Sequence, residues 1–236
     1  MSGEIARARE GFVASLALVP SVFVYGTVFG GLAVQAGLRP VEVWAMTVLV
    51  FAGASQFVAV PMIAAGAAPL AVIVTTYVVN MRHYLMAATL APSFRDFPRG
   101  WLALVAHWIN DESFAVTVAL RRPPDPWVYI GSAAAIAGAF LGGVPIGTEL
   151  GGLVERPERW GLDFAFPAVF LAIVAVQLRR RTDWLVAAVA AALAVSISLV
   201  LSGSWHIVIA GIVVSGGAAL ALDPRVHLDA PDSEGA

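Results

Sequence analysis

Seven side chains that carry charge or hydrogen-bond strongly fall inside stretches otherwise fit for hydrocarbon. Asn80, Arg82 and His83 lie in one, and His107, Asn110, Asp111 and Glu112 lie in the next. Helical spacing places His107, Asn110, Asp111 and Phe114 at i, i+3, i+4 and i+7, so one predicted stripe presents an imidazole, an amide and a carboxylate. Thr76, Asn80 and His83 share a stripe of the preceding segment, with Arg82 pointing elsewhere. Charge balance pairs Arg82 with Asp111 or Glu112 and leaves one carboxylate over. That carboxylate, with His107, is suited to carry a proton coupled to transport, because intramembrane acid and His chains serve as relays. The competing reading is a static network that locks two helices together.

A second feature is Phe51-Ala52-Gly53-Ala54-Ser55-Gln56-Phe57, in the middle of an apolar segment. Glycine among small and polar residues permits local unwinding, and broken helices expose backbone ends to substrate at the membrane midplane. An unwound Gly53–Gln56 would bind the carboxylate of an amino acid through free amides and the Ser55 hydroxyl. Close helix packing, with Ser55 and Gln56 bonded across helices, accounts for the same residues. The rival chemistry is hydrolysis, with Ser55 as nucleophile, a base among His83, His107 and His206, and Asp111 as orienter. No nucleophile motif is complete, and charges deep in two segments fit a translocation path better. A passive channel or a structural membrane subunit is the other alternative.

These residues must be positioned by a membrane-embedded framework. Of 236 residues, 59% are hydrophobic and only 13% charged, against about 25% charged in a soluble domain; mean hydropathy is +0.83. Charge-free runs cover residues 11–38, 43–81 and 184–222. A spanning helix needs about 20 apolar residues, so each of the two longer runs holds two spans. Backbone groups in lipid must be satisfied within the segment, and the polar alternation of barrel strands is absent. The expected architecture is an all-α bundle in a single transporter domain over residues 1–236. Its spans lie near 11–36, 43–65, 69–91, 101–120, 127–147, 163–178, 184–201 and 205–222. The sixth is short enough to be re-entrant, which would leave seven crossings. Arg7 and Arg9 ahead of the first run resemble a signal peptide, but the run is too long and more spans follow, so a retained helix is predicted.

Six of seven tryptophans (Trp44, Trp101, Trp127, Trp160, Trp184 and Trp205) sit at or just before a predicted span start, as an interfacial aromatic belt requires. Only Trp108 lies mid-segment. With an inside N-terminus the inner face carries eight arginines (Arg7, Arg9, Arg121, Arg122, Arg179, Arg180, Arg181, Arg225) and the outer face five (Arg39, Arg95, Arg99, Arg156, Arg159), which puts both termini in the cytoplasm. Small-residue spacing at Gly26/Gly30, Gly138/Gly142 and Gly143/Gly147 predicts close helix packing. The glycine-rich first and fifth segments could begin two related halves. His206 reads as interfacial, and His227 lies in an acidic tail. The absence of cysteine excludes disulfides, thiolate metal sites and a Cys nucleophile; no metal or other cofactor is implied. A net charge of −2 without an extended basic stretch argues against nucleic acid.

Insertion energetics show why the polar segment needs partners. Asp111 and Glu112 together cost about 5–7 kcal/mol at a helix centre, while the strongly apolar residues of 101–120 return only about 3–4 kcal/mol. Alone it would insert poorly, so its polar face must turn toward neighbouring helices.

In order and spacing, several stretches resemble the AzlC family, the large subunits of bacterial branched-chain amino acid exporters. They are Phe29-Gly30-Gly31-Leu32-Ala33, Ala36-Gly37-Leu38, Phe51 to Phe57, Asn80-Met81-Arg82-His83, Asp111-Glu112-Ser113-Phe114-Ala115 and Leu162-Asp163-Phe164-Ala165-Phe166-Pro167. The resemblance runs from about residue 10 to 220, and the Phe51–Phe57 and Asn80–His83 stretches are its most specific parts. Tyr84 departs from the apolar residue usual after the histidine. The resemblance implies a secondary transporter of the bacterial inner membrane, using the proton gradient to export valine, leucine, isoleucine and related residues or analogues. For such a zwitterion Asp111 or Glu112 is available to hold the ammonium, and Phe51, Phe57 and Phe114 are candidates to line an apolar pocket. Such a pocket separates substrates differing by one methylene by only about 1–3 kcal/mol, so overlapping specificity across valine, leucine, isoleucine and methionine is expected. It also implies a small AzlD-type membrane subunit as partner; self-association into a homo-oligomer stays open. It gives weight to Gly53, Ala54, Ser55, Gln56, Phe57, Asn80 and Arg82 as substrate-binding residues, and to Arg82, His83, His107, Asn110, Asp111 and Glu112 as a proton-coupling or ion-pair network.

Overall fold

Prolines open several of the helices, where their missing N–H is harmless and their fixed φ suits the first turn. In the computed structural model Pro40, Pro69 and Pro126 are the first residues of α3 (Pro40–Val50), α5 (Pro69–Asn80) and α9 (Pro126–Leu153), and Pro20 is the second of α2 (Val19–Gln35). Glycines close two of them. Gly37 and Gly66 take φ of +93° and +69° just beyond α2 and α4 (Gly53–Ala64), where a side chain would be strained. After α2 the Gly37 and Leu38 amides donate to the Val34 and Ala33 carbonyls, the paired bonds that satisfy a helix end. The remaining helices are α1 (Ser2–Ser15), α6 (Arg82–Leu90), α7 (Arg99–His107), α8 (Asp111–Leu120), α10 (Arg181–Ser198) and α11 (Trp205–Ala221).

The structure describes residues 2–153, 180–201 and 205–221, together with Leu171, Ala175 and Leu178. The predicted sixth span, Trp160, Arg156, Arg159, Pro167, Arg179, the tail with Arg225 and His227, and the His206 side chain lie outside the described residues. All regular structure described is helical. Two of these helices, α9 and α10, are long and apolar enough to cross a membrane on their own, and α1 with α2 qualifies as a bent pair.

The chain divides into two units, residues 1–66 with 76–166, and residues 67–75 with 167–236. In the second, α10 and α11 pack against each other. In the first, α2 and α9 make the most extensive interface, and its glycines explain why. A β-carbon on Gly30 would strike the Val144 carbonyl, and one on Gly147 the Thr27 carbonyl; Gly26 faces Phe140 and Gly143 faces Phe23 in the same way. Only glycine lets two backbones approach so closely. The contacts are reciprocal. The helices run parallel, and these four pairs exchange under a shift of 117 residues, from Phe23 to Phe140 and from Gly30 to Gly147. Ser15 and Ser132, separated by the same 117, hydrogen-bond to each other at 2.6 Å. Helix α2 and the stretch of α9 that it faces are thus packed side by side through contacts that exchange under this shift. Gly138 meets nothing within 4 Å, so the Gly138/Gly142 spacing has no such role.

Four predicted segments are broken. Segment 11–36 is two helices bent by 66°, with the turn at residues 16–18. Segment 43–65 breaks at Phe51-Ala52, segment 69–91 at Met81, and segment 101–120 at residues 108–110. The break in segment 43–65 falls outside the expected Gly53–Gln56 window because Phe51 (φ +40°) ends α3, and Gly53 already begins α4. Segment 127–147 lengthens at both ends to 126–153, where Asp125 accepts from the Trp127 and Val128 amides and caps α9. Ion pairs of Arg7 with Asp125 (3.4 Å) and Arg121 with Glu10 (2.7 Å) tie α1 to the α8–α9 connection.

Candidate functional site

The breaks belong together. The carbonyl of Val48, in the last turn of α3, has no intrahelical donor because the helix stops at Val50. His107, at the end of α7, supplies one: its Nε2 lies 2.7 Å from the Val48 oxygen. A carbonyl only accepts, so Nε2 carries the proton and Nδ1 is left for another. Phe51 packs edge-on against Trp108 at 4.5 Å and against Phe140 at 5.8 Å. Two interrupted helices are therefore joined at their interruptions. The mid-segment position of Trp108, the exception to the interfacial pattern, was the sequence signal of this junction.

The predicted His107–Asn110–Asp111–Phe114 stripe does not exist as one helical face. Asn110 is extended (φ −144°, ψ 164°) and caps α8, its Oδ1 accepting from the Ser113 amide at 2.8 Å. Its Nδ2 donates to the Trp108 carbonyl at 3.0 Å. Asn prefers this local bonding to a helix interior, and it leaves Asp111 and Glu112 in the first turn, where the helix dipole favours negative charge. Phe114 packs on the Met86, Leu90, Phe94, Ile109 and Tyr129 cluster.

Arg82 opens α6 after the Met81 break, and its Nη1 lies 2.9 Å from Asp111 Oδ2. The carboxylate left over is Glu112, which interacts electrostatically with both Asp111 and Arg82. His83 Nδ1 donates to the Asn80 carbonyl at 2.9 Å, so the break parts Asn80 from the stripe predicted for it while His83 bonds back across it. Asn80 Oδ1 and Arg82 Nε are buried without a hydrogen-bonding partner among the described residues.

On α4, Ser55 turns back on its own chain, donating to the Ala52 carbonyl at 2.9 Å. Its hydroxyl proton and those on His83 Nδ1 and His107 Nε2 all go to backbone carbonyls, so neither histidine pairs with Ser55. Gln56 is 0% exposed, yet neither its Oε1 nor its Nε2 has a partner among the described residues. A buried unsatisfied group costs about 1–3 kcal/mol, which a fold keeps only for a reason. Phe57 is fully buried, and Ala54 has no polar side chain to contribute.

Sequence reasoning missed Tyr25. Its ring lies 4.6 Å from that of Phe57, and a β-carbon on Gly53 would sit 2.7 Å from its Cε1. Its hydroxyl interacts electrostatically with Glu112, Arg82 and Asp111. One α2 side chain thus joins the start of α4 to the charges at the starts of α6 and α8. Nothing in its neighbours along the chain marked it; the signal was Gly53, whose missing Cβ makes room for the ring. Among the described residues no three His, Asp or Glu side chains cluster as metal ligands.

The AzlC protein family matches residues 17–154. The inner membrane protein YgaZ of Escherichia coli is 30% identical over 76% of this chain and 76% of its own length. An uncharacterized membrane protein of Archaeoglobus fulgidus is 28% identical over 73% and 77%. The branched-chain amino acid transport protein AzlC of Bacillus subtilis is 23% identical over 88% and 82%. No solved structure matches the chain.

Proposed function

Because the chain belongs to the AzlC family, we propose that it is a secondary transporter exporting branched-chain amino acids across the inner membrane. Valine, leucine and isoleucine, with methionine, are its substrates, and a small AzlD-type membrane subunit is its partner. Both termini lie in the cytoplasm and the chain crosses the bilayer many times. The observation that carries this reading is the meeting of interrupted helices beside the Arg82–Asp111 pair. Helix ends in mid-membrane supply amides and carbonyls for a small polar solute.

In this reading the amino end of α4 (Gly53, Ala54, Ser55, Gln56) and Arg82 with Asn80 receive the carboxylate, and Phe57 borders the apolar side chain. Glu112, the carboxylate not claimed by Arg82, carries the coupled proton together with His107, whose Nε2 meets the Val48 carbonyl. Asp111, Asn110 and His83 hold that network in place. The small partner completes the transporter.

Efflux of labelled valine, leucine and methionine from cells expressing the chain, with and without a small AzlD-type subunit, tests the assignment. Concentrative export that collapses with a protonophore is expected, and equilibration without concentration would make the protein a passive pore. Asp111→Asn and Glu112→Gln variants that both retain pH-dependent flux would remove the relay.

A further inference from the structure

Gln56 is a side chain whose burial has no internal explanation. It is wholly inaccessible, and both halves of its amide, one an acceptor and the other a donor, lack partners among the described residues. It stands in the first turn of a 12-residue helix that begins at a break. The Gln56 backbone N–H is taken by the Ala52 carbonyl, and the amides of Gly53, Ala54 and Ser55 precede it at the helix end. Helical side chains lean toward the amino terminus, so the Gln56 amide is carried back over that turn. Tyr25 occupies the same turn, against Gly53 and Phe57.

We propose that Gln56 and the amino end of α4 form a subsite that reads the main chain of an α-amino acid, Oε1 accepting from the ammonium and Nε2 donating to the carboxylate. An amide whose nitrogen and oxygen are both unpaired is matched by a ligand offering an acceptor and a donor on adjacent groups. A 2-oxo acid or a fatty acid satisfies the donor and orphans Oε1; an amine does the reverse. The helix end adds its positive potential to the carboxylate side. Tyr25 extends the subsite toward Glu112, Arg82 and Asp111, whose charges its hydroxyl senses. This subsite rests on the proposed export of amino acids and names what that export recognises.

The test is valine counterflow in proteoliposomes holding the full chain with an AzlD-type subunit, with valine, 2-oxoisovalerate and isobutylamine as competitors. Gln56→Met keeps the volume and removes both hydrogen-bonding atoms. It is expected to raise KM for valine about tenfold or more and to narrow the preference for valine over 2-oxoisovalerate. Its melting temperature should not fall, because an unpaired buried amide has been removed. A merely structural Gln56 gives the opposite pair of results, lower stability with KM within twofold of wild type, and overturns the proposal. If Gln56→Met does not reach the membrane, Gln56→Glu decides. It keeps the acceptor and loses the donor, so competition by isobutylamine should strengthen relative to 2-oxoisovalerate, and unchanged competition refutes the subsite. A wild-type protein that moves no valine would sink the transport assignment; wild-type counterflow with an unaltered Gln56→Met KM sinks the subsite alone.

Discussion

Replacing Asn110 with alanine separates two pictures of the polar segment by the sign of the effect. If residues 101–120 formed one helix, Asn110 would be an interior residue, and alanine would stabilise it by up to about 0.7 kcal/mol through propensity. In the structure Asn110 is extended and makes two side-chain hydrogen bonds, to the Ser113 amide and the Trp108 carbonyl. Losing a cap costs about 1 kcal/mol, and losing the second bond costs about another 1 kcal/mol. The expected loss is therefore about 2 kcal/mol. For a chain of this size that lowers the melting temperature by roughly 4–8 °C. Asn110→Ser keeps a capping oxygen but not the second bond, and should lie about halfway. Thermal melting in detergent followed by tryptophan fluorescence suits the site, because Trp108 is packed on Phe51 across the same break. An Asn110→Ala protein as stable as wild type, or more so, would refute the break and the capped α8.

Other perturbations probe the remaining elements. Gly30→Ala places a β-carbon on the Val144 carbonyl and should destabilise by about 1–3 kcal/mol, whereas Gly138→Ala meets open space and should gain up to about 1 kcal/mol; equal melting temperatures would refute the α2/α9 packing. Gly53→Ala should abolish efflux, and Gly53→Ala with Tyr25→Leu should recover part of it, since the clash is with the tyrosine ring; no recovery in the double variant counts against Tyr25 at the site. A double-mutant cycle on Arg82→Gln and Asp111→Asn should give a coupling of about 0.5–1 kcal/mol in detergent, at the modest end because the side chains are 38% and 49% exposed. Ahead of the second span, the Arg39 guanidinium and backbone amide hold the Glu42 carboxyl below the usual carboxylate range. A depressed folded pKa gives stability that is present at neutral pH and lost as pH falls through that pKa. Arg39→Gln should therefore raise the Glu42 pKa in a carboxyl NMR titration and flatten the acid limb of stability.

Local chemistry carried much of the fold. A charge-poor composition demanded membrane helices, and the small-residue spacing at Gly26/Gly30 and Gly143/Gly147 announced their close packing. Arg82 needed a carboxylate partner in hydrocarbon wherever the chain ran, so an ion pair with Asp111 or Glu112 could be anticipated. What needed the tertiary structure were the choices between locally equal options. Asn110 can sit in a helix or cap one, and it caps at the break where His107 meets the freed carbonyl of Val48, 59 residues away along the chain. Asp111 takes Arg82 and Glu112 does not, a matter of which carboxylate the start of α8 turns toward α6. Glycines with the same spacing divide into those pressed on a carbonyl and those facing open space, because that depends on a helix more than a hundred residues distant. Periodicity and propensity describe a residue's own turn of chain, whereas breaks, pairings and close approaches are set by groups that only folding brings within hydrogen-bonding reach.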